Sequence, residues 1–134
     1  MTNGKHRASG PLDTLSSRTA CGLVNIIIDT PKGSRNKFKY DAEAKCFRLS
    51  RILPAGASFP HDFGCIPQTL AEDGDALDVL VLSEAPSFDQ IEHFFVSYNR
   101  AQGRGYKPIA RLGPDQAEAV LAAAEQRYLR QKTS

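Results

Sequence analysis

The hydrophobic pattern along the chain predicts strands in the first two thirds and helices in the last third. Residues 23–29 are rich in β-branched side chains, and residues 37–41 and 45–53 alternate apolar with polar positions, as half-buried antiparallel strands do. Residues 77–82, LDVLVL, are a short apolar run that predicts a strand buried on both faces. Three prolines and two glycines interrupt residues 54–67, so we expect a long shaped loop there.

Beyond residue 86 the apolar positions take a helical period. Aromatic and aliphatic residues recur every three or four positions from Phe88 to Tyr98 and predict one aromatic helix face. Residues 113–132 predict a closing helix, with a proline and an aspartate in its first turn and basic residues near its end. A short strand is expected at 103–112. The order predicts an α+β fold, a small antiparallel sheet or barrel covered by two helices.

Composition and charge divide the chain but identify no partner. Residues 1–22 are polar and predict a flexible arm, which leaves 23–134 as a single domain. A hydrophobic fraction of 41%, a charged fraction of 24% and a net charge of +2 are ordinary for a soluble globular protein. They indicate neither a nucleic-acid nor a membrane partner, and the apolar runs are too short to span a bilayer.

The three cysteines are widely spaced and predict neither a disulfide framework nor a zinc site. They are Cys21, Cys46 and Cys65, without a CxxC pair or a neighbouring pair of histidines. We therefore expect a reducing, cytoplasmic setting.

Three aspartates, Asp73, Asp75 and Asp78, stand directly before the apolar run in EDGDALDVLVL. Carboxylates this close repel one another unless a cation neutralises them, and oxygen ligands suit Mg²⁺, Mn²⁺ or Ca²⁺ better than zinc. An EF-hand is excluded because Leu77 and Asp78 occupy the places of an oxygen ligand and the required glycine. A solvated acidic turn is the plain alternative.

Basic residues precede the aspartates along the chain and provide the charge that a polyphosphate substrate requires. The alternative is a solvated face of a hairpin, and net charge does not decide between the two. These residues are Lys32, Arg35, Lys37, Lys39 and Arg51.

Four blocks of sequence, in this order, resemble the soluble, magnesium-dependent inorganic pyrophosphatases of the first family: PKGSRNKFKYD, LSRILPAG, FPHDFGCIPQTLAEDGDALDVLVL and IEHFFVSYN. The DGDxxDVLVL element after an aromatic-Gly-x-Ile-Pro loop is the signature of that family. The resemblance runs from about Val24 to the last helix. It implies an OB-like five-stranded antiparallel barrel with flanking helices, and Mg²⁺-dependent hydrolysis of inorganic pyrophosphate to two orthophosphates.

The resemblance also implies a role for each aspartate by its position in the motif. Asp75 would orient and deprotonate the nucleophilic water, and Asp73 and Asp78 would be metal ligands. Asp29, where many members have Glu, would contact the metals through water.

The same resemblance implies that Lys37 and Arg51 hold phosphate oxygens and that Tyr98 donates a hydrogen bond to a phosphate. Its place on the aromatic helix face also suits Tyr98 for packing. Lys39 stands where many members have Glu, and Phe63 where many have a phosphate-contacting Tyr.

The chain departs most from the family after Pro86. A typical member continues there through further barrel strands and two more metal-binding aspartates, and this block is absent. An unpaired strand edge would then favour a homo-oligomer.

Two alternatives to an active pyrophosphatase stay open. The first is a catalytically impaired relative that only binds metal or phosphate or associates with other subunits. The second, an OB-like oligonucleotide binder, needs exposed aromatics among basic residues, whereas the aromatics here fall on a helix face or in strands.

Overall fold

The computed structural model describes residues 10–41, 44–83, 85 and 87–133, and strands precede the two long helices as predicted. Both long helices are confirmed, and mixed α/β content is established. The elements in chain order are α1 Pro11–Thr14, β1 Ile27–Thr30, β2 Asn36–Asp41, β3 Cys46–Ile52, β4 Asp62–Ile66, β5 Leu77–Val81, α2 Phe88–Arg100 and α3 Pro114–Thr133.

The strands form two antiparallel sheets. β2 and β3 form an antiparallel hairpin, but β3 is not half-buried as predicted, because every position except Arg51 is exposed. A three-stranded sheet has the order β1-β4-β5. Over the described ranges these sheets do not close into a barrel, so the OB-like barrel stays a prediction.

The central strand β4 lies inside the segment that we expected to be a loop, and that expectation is wrong for residues 62–66. Pro60 and Pro67 flank the strand instead of interrupting its hydrogen bonds. Gly64 allows a close approach of β1, because a Cβ atom at this position would lie 2.0 Å from the carbonyl oxygen of Ile27. The glycine that resembles a strand breaker is therefore required by strand pairing.

Two further expectations are wrong. β5 is not buried on both faces, because it lies at the edge of its sheet and keeps partial exposure at every position. Residues 103–112 form no strand. Arg111 holds this segment against α2 through Asp89, at 2.5 Å, and Glu92, at 2.7 Å.

The predicted aromatic face of α2 forms the main core. The helix begins at Phe88 because the side chain of Ser87 accepts a hydrogen bond from the backbone N–H of Gln90 at 3.3 Å. Phe59, which is 1% exposed, lies at the centre of the cluster. Its ring centroid is 5.0 Å from that of Phe94 and 5.7 Å from that of Tyr98.

Asp13, Ser17 and Arg18 contact α3, which differs from the flexible arm that the composition of this segment predicts. Arg18 pairs with Glu125 at 3.0 Å and with Glu118 at 2.5 Å. Tyr128 donates a hydrogen bond to Asp13 at 3.1 Å. These partners are 100 or more positions away along the chain, which composition cannot indicate. Residues 1–9 of the predicted arm lie outside the described residues, and the domain boundary at residue 22 stays a prediction.

Within the described ranges, no helix is long and apolar enough to cross a membrane.

Candidate active site

One face of the three-stranded sheet forms a wall of a cavity of about 310 Å³. The β2 strand of the hairpin and the loop before β5 form further walls. Charged side chains of both signs meet in this space, which distinguishes it from a simple acidic turn. The charged residues that line it are Asp13, Asp29, Lys37, Lys39, Asp75 and Asp78.

Asp29 reaches the cavity from a β-bulge in β1. Ile28 pairs with Gly64 and Thr30 pairs with Phe63, so Asp29 between them has no partner on β4. A bulge of this kind re-aims a side chain. The Oδ1 atom of Asp29 is buried, and the described residues offer it no hydrogen-bond partner. Such an oxygen is suited to accept a bound cation or a water.

Partial burial raises the pKa of the Asp29 carboxyl above its usual range. The ammonium of Lys37 opposes this shift, whereas the negative charge of Asp78 adds to it. The pocket therefore disfavours the ionised carboxylate in the absence of a further positive charge.

Asp78 lies on β5 directly opposite Cys65 of β4. Although Asp78 keeps contact with solvent, the protein atoms around its carboxyl remove part of its hydration and raise its pKa. Lys37 opposes the shift, and Asp73 and Asp75 add to it. Burial, together with the carboxylates of Asp29 and Asp78, raises the pKa of the Cys65 thiol to about 12, so this thiol stays protonated.

The loop with the DGD sequence is fixed by its own hydrogen bonds. Gly74 takes a φ of +88°, which favours glycine. Asp73 Oδ1 accepts the backbone N–H of Asp75 at 3.0 Å, and the N–H of Leu77 donates to Thr69 Oγ1 at 3.0 Å. Asp75 and Asp78 line the cavity, whereas Asp73 caps the turn and is outside the cavity lining.

Lys39 projects from β2 to the same loop. Its Nζ atom lies 3.3 Å from Oδ2 of Asp75, and both side chains are well exposed to solvent. The carboxylate to which the motif assigns the catalytic role is thus paired with a cation of this chain.

The three residues expected to bind phosphate lie around the β2–β3 hairpin. Lys37 is the direct cross-strand partner of Arg51. The Lys37 ammonium lies 5.0 Å from the ring centroid of Phe63 and 5.7 Å from that of Tyr98. Arg51 and Tyr98 line a second cavity of about 300 Å³, whereas Lys37 lines the first, so the structure does not bring all three into one cavity.

Tyr98 combines packing with an unused polar group. The residue is only 9% exposed, and its ring belongs to the aromatic core. Its hydroxyl oxygen is buried and has no hydrogen-bond partner in the part of the chain that the structure describes. Because a buried hydroxyl normally has a partner, this atom is suited to bind a ligand oxygen.

Sequence reasoning missed the wall opposite the sheet, which α1 and α3 provide. Leu12, Asp13, Tyr128 and Gln131 line the cavity on this side. The backbone carbonyl of Asp13 also accepts a hydrogen bond from the side chain of Gln68 at 2.8 Å. The pattern placed Tyr128 on an apolar helix face but gave no signal for Asp13, because the two residues are 115 positions apart.

The donor set suits a hard divalent cation. The carboxylates of Asp29 and Asp78 provide oxygen donors, and one of these oxygens is an orphaned buried atom. Among the described residues no three His, Cys, Asp or Glu side chains already converge as a complete metal site. Mg²⁺ is commonly held by one or two carboxylates together with waters and substrate phosphates, so the residues fit such an ion.

Comparisons with known proteins all match this chain to inorganic pyrophosphatases. The sequence model of the inorganic pyrophosphatase family matches residues 26–89. The chain is 42% identical to the inorganic pyrophosphatase of Synechocystis over 77 residues, which are 58% of this chain and 46% of that protein. It is 30% identical to the inorganic pyrophosphatase of Methanosarcina acetivorans, over 80% of this chain and 93% of that protein.

That second alignment runs over 156 positions, which exceeds the 134 residues of this chain. The relative therefore has residues without a counterpart here, and the match to the first relatives covers less than half of their length.

Solved structures of the same kind share the fold. The crystal structure of inorganic pyrophosphatase from Thermus thermophilus has a TM-score of 0.70 at 25% identity, covering 84% of this chain and 97% of that one. The inorganic pyrophosphatase of Helicobacter pylori has a TM-score of 0.77 at 21% identity, covering 87% of this chain and 99% of that one.

Proposed function

Because the chain belongs to the inorganic pyrophosphatase family, we propose that it hydrolyses inorganic pyrophosphate to two orthophosphate ions in the cavity described above. The observation that carries the proposal is the meeting of carboxylates with two lysines in one pocket beside a conformationally fixed DGD loop. Phosphoryl transfer requires this combination, since catalysis there consists mostly of positioning and charge stabilisation.

Substrate binding is assigned to two cations, Lys37 at the first cavity and Arg51 at the second. Both would bind phosphate oxygens, and their cross-strand pairing supports a shared anion between them. The unpartnered hydroxyl of Tyr98 would donate to the same phosphate. A fully ionised polyphosphate would satisfy all three groups together.

Asp75 is the proposed base. It lines the cavity, and its backbone is held by hydrogen bonds of the N–H to Asp73 and of the carbonyl to Ala71, at 3.0 Å and 2.8 Å. Its carboxylate would accept the proton of the water that attacks phosphorus, and the fixed loop would keep it in place during the transfer.

Mg²⁺ is the proposed cofactor. Asp29 and Asp78 would hold it from the cavity wall, and Asp73 would be a further ligand from the rim of the loop. When bound, a divalent ion provides charge neutralisation for pyrophosphate and lowers the pKa of a coordinated water. Its positive charge would also favour the ionised forms of Asp29 and Asp78, which burial disfavours.

A homo-oligomer is proposed because β5 lies at a sheet edge, where a second copy could pair with it. The OB-like barrel belongs to the same proposal, since further pairing at this edge would extend the sheet. We further propose a cytoplasmic protein that requires neither nucleic acid nor a membrane.

The second candidate function is that of a catalytically impaired relative which only binds metal or phosphate or associates with other subunits. The observation that favours it is the lack of three converging ligands among the described residues.

Orthophosphate release from pyrophosphate by the purified protein in Mg²⁺ distinguishes the two candidates. Release that EDTA abolishes supports hydrolysis. Binding of a non-hydrolysable diphosphonate without any release, even at high protein concentration, supports the impaired relative.

A further inference from the structure

We infer that Lys39 is a built-in counter-cation of Asp75, which opposes the binding of a free divalent ion at the neighbouring carboxylates and turns to a phosphate oxygen when pyrophosphate binds. The inference deepens the proposed function and rests on it for the identity of the anion. It makes Lys39 a residue that determines the order of binding, with the divalent ion favoured as a complex with pyrophosphate.

The Lys39 ammonium lies beside the Asp75 carboxylate in the lining of the first cavity. Lys39 Nζ lies 3.3 Å from Asp75 Oδ2, and the exposed fractions of the two side chains are 63% and 61%. An exposed ion pair of this kind is weak and exchanges easily. The β2 backbone that carries Lys39 is fixed, since Lys39 pairs with Arg48 across the hairpin and the N–H of Phe38 donates to Thr30 Oγ1 at 3.1 Å.

Lys37, two positions earlier on the same strand, differs in its freedom of movement. Its ammonium lies over the rings of Phe63 and Tyr98, at 5.0 Å and 5.7 Å from their centroids. Cation–π contacts and partial burial hold this charge in place. Lys37 is thus a fixed cation of the pocket, whereas Lys39 is a movable one.

The charge balance of the pocket explains why the position of the Lys39 ammonium affects cation binding. The charged side chains of its lining are four carboxylates and two ammonium groups, so negative charge remains in excess. The Lys39 ammonium repels a free divalent ion that binds to Asp29 and Asp78 in the same cavity. Pyrophosphate reduces this repulsion, because its oxygens offer the ammonium an acceptor within the cavity.

Lys39→Gln should therefore change two affinities in opposite directions. Calorimetric titration with Mg²⁺ alone should show binding about three-fold tighter than in the wild type, the scale that an exposed ion pair allows. Titration with methylenediphosphonate in saturating Mg²⁺ should show binding about ten-fold weaker, because a charge-assisted hydrogen bond is lost.

Arg48→Gln is the matched control. It removes the same charge from the cross-strand partner of Lys39, on a side chain that pairs with Asp41 and is outside the lining of the first cavity. Both affinities should stay at their wild-type values in this variant. Equal melting temperatures of the three proteins establish that folding is unchanged.

The inference is overturned if Lys39→Gln leaves Mg²⁺ affinity unchanged or weakens it, if both affinities change in the same direction, or if Arg48→Gln reproduces the effects. Because neither titration requires turnover, failure of the proposed hydrolysis is recognised separately, by absent orthophosphate release from the wild type. A tighter Mg²⁺ affinity with absent turnover would keep the role of Lys39 and remove the enzymatic function.

Discussion

Lys37 and Arg51 lie directly opposite each other across the β2–β3 hairpin. Like charges at such a position destabilise a sheet unless an anion lies between them. Phe63 and Tyr98 approach the Lys37 ammonium from the core side. The hairpin thus holds two cations side by side, and an anion bound between them would reduce their repulsion.

Pyrophosphate should consequently stabilise the folded protein through this pair. A ligand at about 100 times its Kd adds roughly 2.7 kcal/mol to the free energy of unfolding. We expect methylenediphosphonate, a non-hydrolysable analogue, in Mg²⁺ to raise the melting temperature of the wild type and to have much less effect on Arg51→Gln. Arg48→Gln is the control, and an equal shift in all three proteins would exclude Arg51 from the binding site.

Asp29→Asn should separate folding from cation binding. The variant replaces a carboxyl that is costly to ionise in its partly buried position by a neutral amide, so the cation-free protein should be no less stable than the wild type. Mg²⁺ affinity should fall by at least about ten-fold, the loss seen when even an outer ligand partner is removed. Urea unfolding with Mg²⁺ and with EDTA measures both effects. A variant that Mg²⁺ stabilises as strongly as the wild type would contradict the role of Asp29.

Gly64→Ala tests the close approach of β1 and β4. The new Cβ atom would lie 2.0 Å from the Ile27 carbonyl oxygen, so the backbone of β1 must move. We expect a loss of about 3 kcal/mol in the free energy of unfolding, the upper part of the range for overpacking. Gly105→Ala is the control, since no atom lies within 4 Å of its added Cβ. Equal stability of the two variants would show that the sheet does not require the glycine.

The acid dependence of stability should report the docking of the N-terminal segment. Hydrogen bonds from Arg18 hold the pKa of Glu125 below its usual range, and Ser17 contributes in the same direction. A carboxyl with a lowered pKa in the folded state stabilises the protein above its unfolded pKa, and this contribution is lost as the pH falls through the folded value.

Unfolding of the wild type and of Glu125→Gln across the acidic range measures this contribution. The stability difference should be complete at neutral pH and should vanish below the folded pKa of Glu125. A difference that does not change with pH would mean that the Arg18 pair does not dock the segment.

The sequence predicted the elements whose local pattern agrees with their tertiary setting. The aromatic period of α2 reflects one face that packs into the core, and β2 also forms with part of its apolar side covered. β3 forms as well, but its apolar residues Phe47, Leu49 and Ile52 are exposed. Two of the three aspartates of the DGD motif, Asp75 and Asp78, line one cavity, and their roles there stay a prediction.

What the sequence did not predict depends on distant partners. β4 contains Gly64 and is flanked by prolines, which locally indicate a loop, and only the approach of β1 explains them. The wall formed by Asp13 and Tyr128 arises from packing between the two ends of the chain. The exposed position of Asp73 follows from its turn-capping hydrogen bond, which the spacing alone does not reveal.

The central claim is that this cavity hydrolyses pyrophosphate with Asp75 as the base. The most direct measurement is the rate of orthophosphate release in Mg²⁺ by the wild type, by Asp75→Asn and by Asp89→Asn. Asp89 is a matched control, because it lies on α2 outside the cavity lining, its side chain is 90% exposed and it pairs with Arg111.

We predict release by the wild type and by Asp89→Asn, and a rate lower by a factor of about 100 or more in Asp75→Asn, the usual contribution of a general base. Absence of release from the wild type, or an unchanged rate in Asp75→Asn, would contradict the claim.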